Sequence, residues 1–124
     1  MSAFRERRRA TRVPTSLQAR LTLPDGTSHV LLVEDLSIVG LHGRAAVALA
    51  AGLACRVELA TDSGSVEAHG TIVRSREHDL ALCFEHLPYE SFERLKAFLL
   101  ANASDPAVIA DELTDRLSFL EESA

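Results

Sequence analysis

LQARLTLPDGTSHVLLVED, residues 17–35, alternates in a way only a half-buried strand requires, and it carries its own turn. Leu17, Ala19, Leu21 and Leu23 fall on one side of an extended chain, while Gln18, Arg20 and Thr22 fall on the other. The run breaks at Pro24-Asp25-Gly26, a hairpin signal, and Ser28 to Asp35 supplies the returning strand. The same reading applies to ACRVELA, residues 54–60, and VEAHGTIVRSR, residues 66–76, which flank a TDSG turn where Gly64 is free to take a positive backbone angle. His78-Asp79 makes another short turn into LALCFEH. Five or six strands joined mostly by hairpins, with no helix to cover both faces, close most economically as a small antiparallel barrel. The segment RAAVALAAG, residues 44–52, leaves two readings open: alanine favours a helix, and a loop or short strand is the alternative.

After Pro88 the period changes. Phe92, Leu95, Phe98, Leu99 and Asn102 recur at three and four, opposite Glu90, Glu93, Arg94 and Lys96, which predicts an amphipathic helix over residues 88–102. Asp105 as cap and Pro106 in the first turn announce a second, with Ile109, Leu113, Leu117 and Leu120 on one stripe. Both stripes are expected to pack on the barrel, and the second is also a candidate surface for a partner or a homodimer. The domain organisation expected is therefore a flexible arm (1–12), a barrel (13–87) and a helix (88–102), together one domain over 1–104, followed by an amphipathic helix at 105–124.

A chain of 124 residues with 47% hydrophobic content can close one core. No apolar stretch approaches the length of a membrane span. The basic start lacks the apolar stretch of a signal peptide, so a cytoplasmic location is expected, with Cys55 and Cys83 as thiols rather than a disulfide. Charge is distributed unevenly. FRERRRATR, residues 4–12, makes residues 1–12 carry +4 within a chain of net charge −5, leaving −9 on the remainder. A basic arm on an acidic body argues against a nucleic-acid polymer as partner and for a small anion gripped by the arm. The five histidines show no HExxH or H-x-H spacing, and neither a nucleophile elbow nor a phosphate loop is present, so neither metal, cofactor nor enzymatic activity is expected.

Two short motifs remain: Arg8-Arg9-Ala10-Thr11-Arg12, an R-x-x-x-R, and Asp35-Leu36-Ser37-Ile38-Val39-Gly40, a D-x-S-x-x-G directly after a strand. Alone, the second reads first as a strand ending in a polar turn, with Asp35 and Ser37 bonding their own backbone and Gly40 taking an unusual dihedral. In this order, with ERRRATRVPTSLQARL at the entry and GTIVRSREHDLALCFEHL before the helix, they resemble the PilZ domain family of bacterial cyclic di-GMP receptors. The resemblance runs from Glu6 to about Leu100. It implies a six-stranded antiparallel barrel with a helix after it. LHGRA after Gly40 departs from the family's usual run into the next strand.

The resemblance also implies a site. Arg8 and Arg12 would clamp the ligand, because a guanidinium fork matches the O6 and N7 acceptors of guanine and pairs with phosphate. Arg7 and Arg9 would add phosphate and guanine contacts around a stacked pair of ligands. Asp35 would accept from the guanine N1–H and N2–H2 edge or hold an arginine, Ser37 would bond a phosphate oxygen, and Gly40 would let a base approach the backbone. The function implied is a cyclic di-GMP receptor whose arm orders on binding and whose altered surface signals to a separate partner protein. An adaptor of the same family that binds no nucleotide is the alternative.

Overall fold

The computed structural model describes residues 11–112. Its strands are β1 (Val13–Pro14), β2 (Gln18–Thr22), β3 (Ser28–Leu36), β4 (Gly40–Ala45), β5 (Ala54–Thr61), β6 (Gly64–Arg76) and β7 (Asp79–His86), followed by helix α1 (Tyr89–Asn102). All pairings are antiparallel, in the order β3-β2-β5-β6-β7-β4, and β4 returns to β3 to close a six-stranded barrel. The short β1 pairs outside the ring with the end of β3. Among the described residues, closure leaves no long edge strand open to pairing with another chain.

Alternation along β2, β3, β5 and β6 fills the barrel with Ala19, Leu21, Leu31, Val33, Val57, Leu59, Val66 and Ile72, all buried. Cys55 belongs to the same interior. Burial, with Glu85 nearby, pushes its thiol up to about 11, so it stays protonated and packs as a small apolar group.

The hairpin between β2 and β3 forms as its sequence predicts. Gly26 takes a φ of 92°, and the Asp25 carboxylate accepts from the Thr27 amide at 2.9 Å and the Thr27 hydroxyl at 2.7 Å. Of the two readings of residues 44–52, the helix does not form. Arg44 and Ala45 finish β4, Leu49 is buried, and the Gly52 amide donates to the Ile72 carbonyl at 2.6 Å, so tertiary contacts override alanine's helix propensity.

Helix α1 lies against β6 and buries Phe92, Leu95, Phe98 and Leu99 as its period predicts, whereas Asn102 points outward and donates to the Phe98 carbonyl at 2.8 Å. Its Ser91 is buried and accepts from the Glu67 amide at 2.8 Å, which ties the helix to the sheet. A second helical segment, residues 106–112, begins at Pro106, and Ile109 is its buried residue. The first position of that stripe is thus used on the chain's own body. Leu113, Leu117 and Leu120 lie outside the described residues, and no described helix is long and apolar enough to cross a membrane.

Candidate functional site

The site is built where β3 leaves the barrel. Register passes from Val33 opposite Gly43 to Asp35 opposite His42, so Glu34 is an inserted residue and β3 bulges there. Strict alternation from Val33 would turn Asp35 inward. The bulge puts both Glu34 and Asp35 on the outer face and returns Leu36 to the core, fully buried. His42 then meets both carboxylates, its Nδ1 lying 3.6 Å from Glu34 Oε1 and 3.6 Å from Asp35 Oδ2. LHGRA, which departs from the expected run, nonetheless forms regular strand β4.

β1 brings the arm to this place. Val13 pairs with Leu36 and Pro14 with Asp35, and the Thr15 amide donates to the Glu34 carbonyl at 2.9 Å. Main-chain pairing thereby sets Arg12 beside Asp35, where its Nη1 donates to Oδ1 at 2.8 Å. The guanidinium is 60% exposed and the carboxylate 24%. An exposed pair of this kind contributes at most about 1 kcal/mol, so Arg12 is placed without being locked. The arm, expected to be mobile through residue 12, is held at its last two residues, since Thr11 also bonds Glu112. The physical reason is the β1 pairing, which composition alone does not reveal. Arg7, Arg8 and Arg9 lie outside the described residues.

The corner between β3 and β4 is tight, with Ser37 buried in it. Ser37 is 5% exposed; its hydroxyl accepts from the Val39 amide at 3.2 Å and lies 3.4 Å from the Gly40 carbonyl, while its amide donates to that carbonyl at 2.9 Å. The hydroxyl therefore serves the turn. Gly40 does not take the unusual dihedral that the turn reading expects. Positive φ occurs at Gly26, Gly52 and Gly64 but not at Gly40, and a Cβ on Gly40 would collide with the Leu82 carbonyl oxygen of β7. Its missing side chain is what lets β4 pair closely with β7, where Gly40 faces Cys83.

Of the residues expected in the site, the structure thus gathers Arg12, Asp35, Ser37 and Gly40 at one corner. It adds Glu34, His42 and Thr11, which sequence reasoning did not assign to the site. The Glu34-Asp35 doublet followed by His42 in the departing LHGRA was the available signal for two of them. One ligand atom each from Glu34, His42 and Asp79 lies within 4.8 Å of the others. Asp79 is half exposed, however, and faces Arg44 at 3.6 Å, so this arrangement is a surface cluster in which one carboxylate already has a cationic partner.

Comparison with known proteins bears on this geometry. The family model described as PilZ domain matches residues 6–101. No curated protein sequence matches the chain. Among solved structures, the PilZ domain of YcgR from Escherichia coli with c-di-GMP is similar at a TM-score of 0.63 and 15% identity, covering 90% of this chain and 98% of that one. The PilZ domain of CeSA from a cellulose-synthesizing bacterium gives a TM-score of 0.59 and 15% identity, covering 69% of this chain and 91% of the other. The inhibitor of motility MotI/DgrA from Bacillus subtilis gives 0.61 and 15%, covering 77% of this chain but only 49% of that longer one. At these identities the likeness is one of fold.

Proposed function

The chain belongs to the PilZ domain family, the family of cyclic di-GMP receptor domains, and from that premise we propose that it binds cyclic di-GMP and passes the signal to a separate partner protein. The observation that carries this reading is the approach of Arg12 to Asp35 at 2.8 Å, which unites the end of the arginine motif with the start of the corner motif. Arg12 exchanges Asp35 for the ligand at little cost, because the pair is exposed. Its fork then takes guanine O6 and N7 or a phosphate oxygen pair. Asp35, released from Arg12, accepts from the guanine N1–H and N2–H2 edge. Arg8 supplies the second clamp, and Arg7 and Arg9 extend the contacts to a second, stacked ligand. Ser37 and Gly40 contribute through the corner they hold, with β7 packed against it.

Binding brings the arm down onto the barrel and changes the surface that a partner reads. The domain acts as a receptor and adaptor in the cytoplasm, with no catalytic step of its own. One observation favours the alternative of a nucleotide-free adaptor: Val30, 65% exposed, and Leu32, 44% exposed, stand side by side on the outer face of β3, where an apolar protein contact would fit.

Calorimetry separates the two. The wild-type chain is expected to take up cyclic di-GMP with a dissociation constant of about 1 µM or tighter, about −8 kcal/mol. Arg8→Ala, Arg12→Ala and Asp35→Ala are each expected to weaken it by about ten- to a hundredfold, the worth of a charged hydrogen bond. A wild-type protein that gives no saturable heat would leave the adaptor reading standing in place of this one.

A further inference from the structure

Thr11 sits inside the arginine motif, between Arg8 and Arg12, and both of its donors are already taken. Its amide donates to Glu112 Oε1 at 2.8 Å and its hydroxyl to Glu112 Oε2 at 2.5 Å. The partner is 101 residues away in sequence, on the helical segment 106–112. A carboxylate held through both oxygens by a main-chain N–H and a neighbouring hydroxyl is bound the way such donors bind a phosphate, by short charge-assisted bonds. The chain's own anion therefore rests on the arm at the point where, on the reading above, a doubly charged ligand arrives.

The rest of the segment is mostly exposed. Ile109 is its buried residue among those described, and Pro106, Val108 and Asp111 are exposed. A cavity of about 200 Å3 lies between the arm, at Thr11 and Val13, and the approach to the segment, at Asp105 and Val108. Among the described residues, Ile109 seats the segment in the core and the Glu112 carboxylate ties it to the arm, and a competing anion removes the second of these ties.

We propose that Glu112 is an intramolecular competitor for the anion-binding donors of the arm, displaced from Thr11 by a phosphate of cyclic di-GMP, so that ligand binding frees the segment 106–112. The inference rests on the cyclic di-GMP reading and adds to it the route by which binding reaches a distant surface. Coupling of this kind is reciprocal: whatever factor Glu112 takes from ligand affinity, the ligand takes from docking of the helical segment.

The experiment titrates cyclic di-GMP into the full wild-type, Glu112→Ala and Glu112→Gln chains by calorimetry and follows amide hydrogen exchange over residues 107–112 with and without ligand. Glu112→Ala is expected to bind about five- to tenfold tighter than wild type, within the usual range of coupling between sites. Glu112→Gln, which keeps the shape and removes the charge, should move the same way by less. Exchange over residues 107–112 should accelerate in Glu112→Ala without ligand and in the wild type with it. A wild type that binds while Glu112→Ala binds no tighter, or exchange that slows on ligand addition, overturns the competitor and leaves the receptor reading intact. A wild type that binds nothing overturns both, and so is told apart from failure of the competitor alone.

Discussion

The two ends of β3 are both corners, and they are made by opposite means. At the entry, Pro24-Asp25-Gly26 turns in solvent: nothing lies within 4 Å of where a Gly26 Cβ would be, and Asp25 organises the turn through Thr27. At the exit, Ser37 is buried and Gly40 is pressed against the carbonyl of Leu82. The first glycine answers a backbone angle, and the second answers a neighbour. A local turn can tolerate change because solvent accommodates it, whereas a corner wedged against another strand transmits any change into the barrel. Of the candidate ligand residues, Asp35, Ser37 and Gly40 lie at the second kind of corner, and Arg12 pairs with Asp35 beside it.

The comparison is sharpest at the two glycines. Gly40→Ala is expected to cost about 3 kcal/mol, at the upper end for inserting a methyl group into packed structure, because the obstacle is backbone and cannot swing aside. Urea unfolding measures it, and a loss under about 0.5 kcal/mol would mean that the exit corner yields as freely as the entry. Gly26→Ala is expected to cost about 1 kcal/mol, the strain of a positive φ with no collision added. A larger loss there than at Gly40 would reverse the contrast.

The smallest effect belongs to Asp25. Hydrogen bonds from the Thr27 amide and then the Thr27 hydroxyl hold its carboxyl below the usual value of 3.8. A depressed folded-state value means that its contribution is present above about pH 4 and is lost as pH falls below it. Asp25→Asn should therefore lose this small contribution at pH 7, by less than Gly26→Ala costs, and approach the wild type well below pH 4, so that its stability changes less across that range. Thermal melts across pH 2.5 to 7 check this, and a change at neutral pH as large as that of Gly26→Ala would show that the entry turn depends on the charge itself.

Much of the fold could be read from local spacing. Leu17 to Leu23 and Val66 to Arg76 announced strands by alternation, Asp25-Gly26 announced a hairpin, and Phe92, Leu95, Phe98 and Leu99 marked the buried face of α1. The Ala-rich stretch resisted such reading, because its state depends on Leu49 finding the core and on Gly52 bonding Ile72. The site was legible as two motifs, Arg8 to Arg12 and Asp35 to Gly40, but the function of each residue within them was less so. Ser37 bonds within its own turn, one of the two readings its motif allows, and Gly40 is a point of close contact with β7 rather than a residue of positive φ.

By itself the sequence determined the kind of molecule: alternating strands, turns with the right residues, an amphipathic helix and a cationic arm, all of them properties of neighbours a few positions apart. Only the tertiary structure decided that β3 bulges at Glu34 so that Asp35 faces outward, that Arg12 reaches Asp35 across 23 residues, and that Thr11 meets Glu112 across 101. The physical reason is closure. Ring formation by six strands fixes which distant segments meet, and that register is a property of all the pairings together rather than of any one stretch of chain.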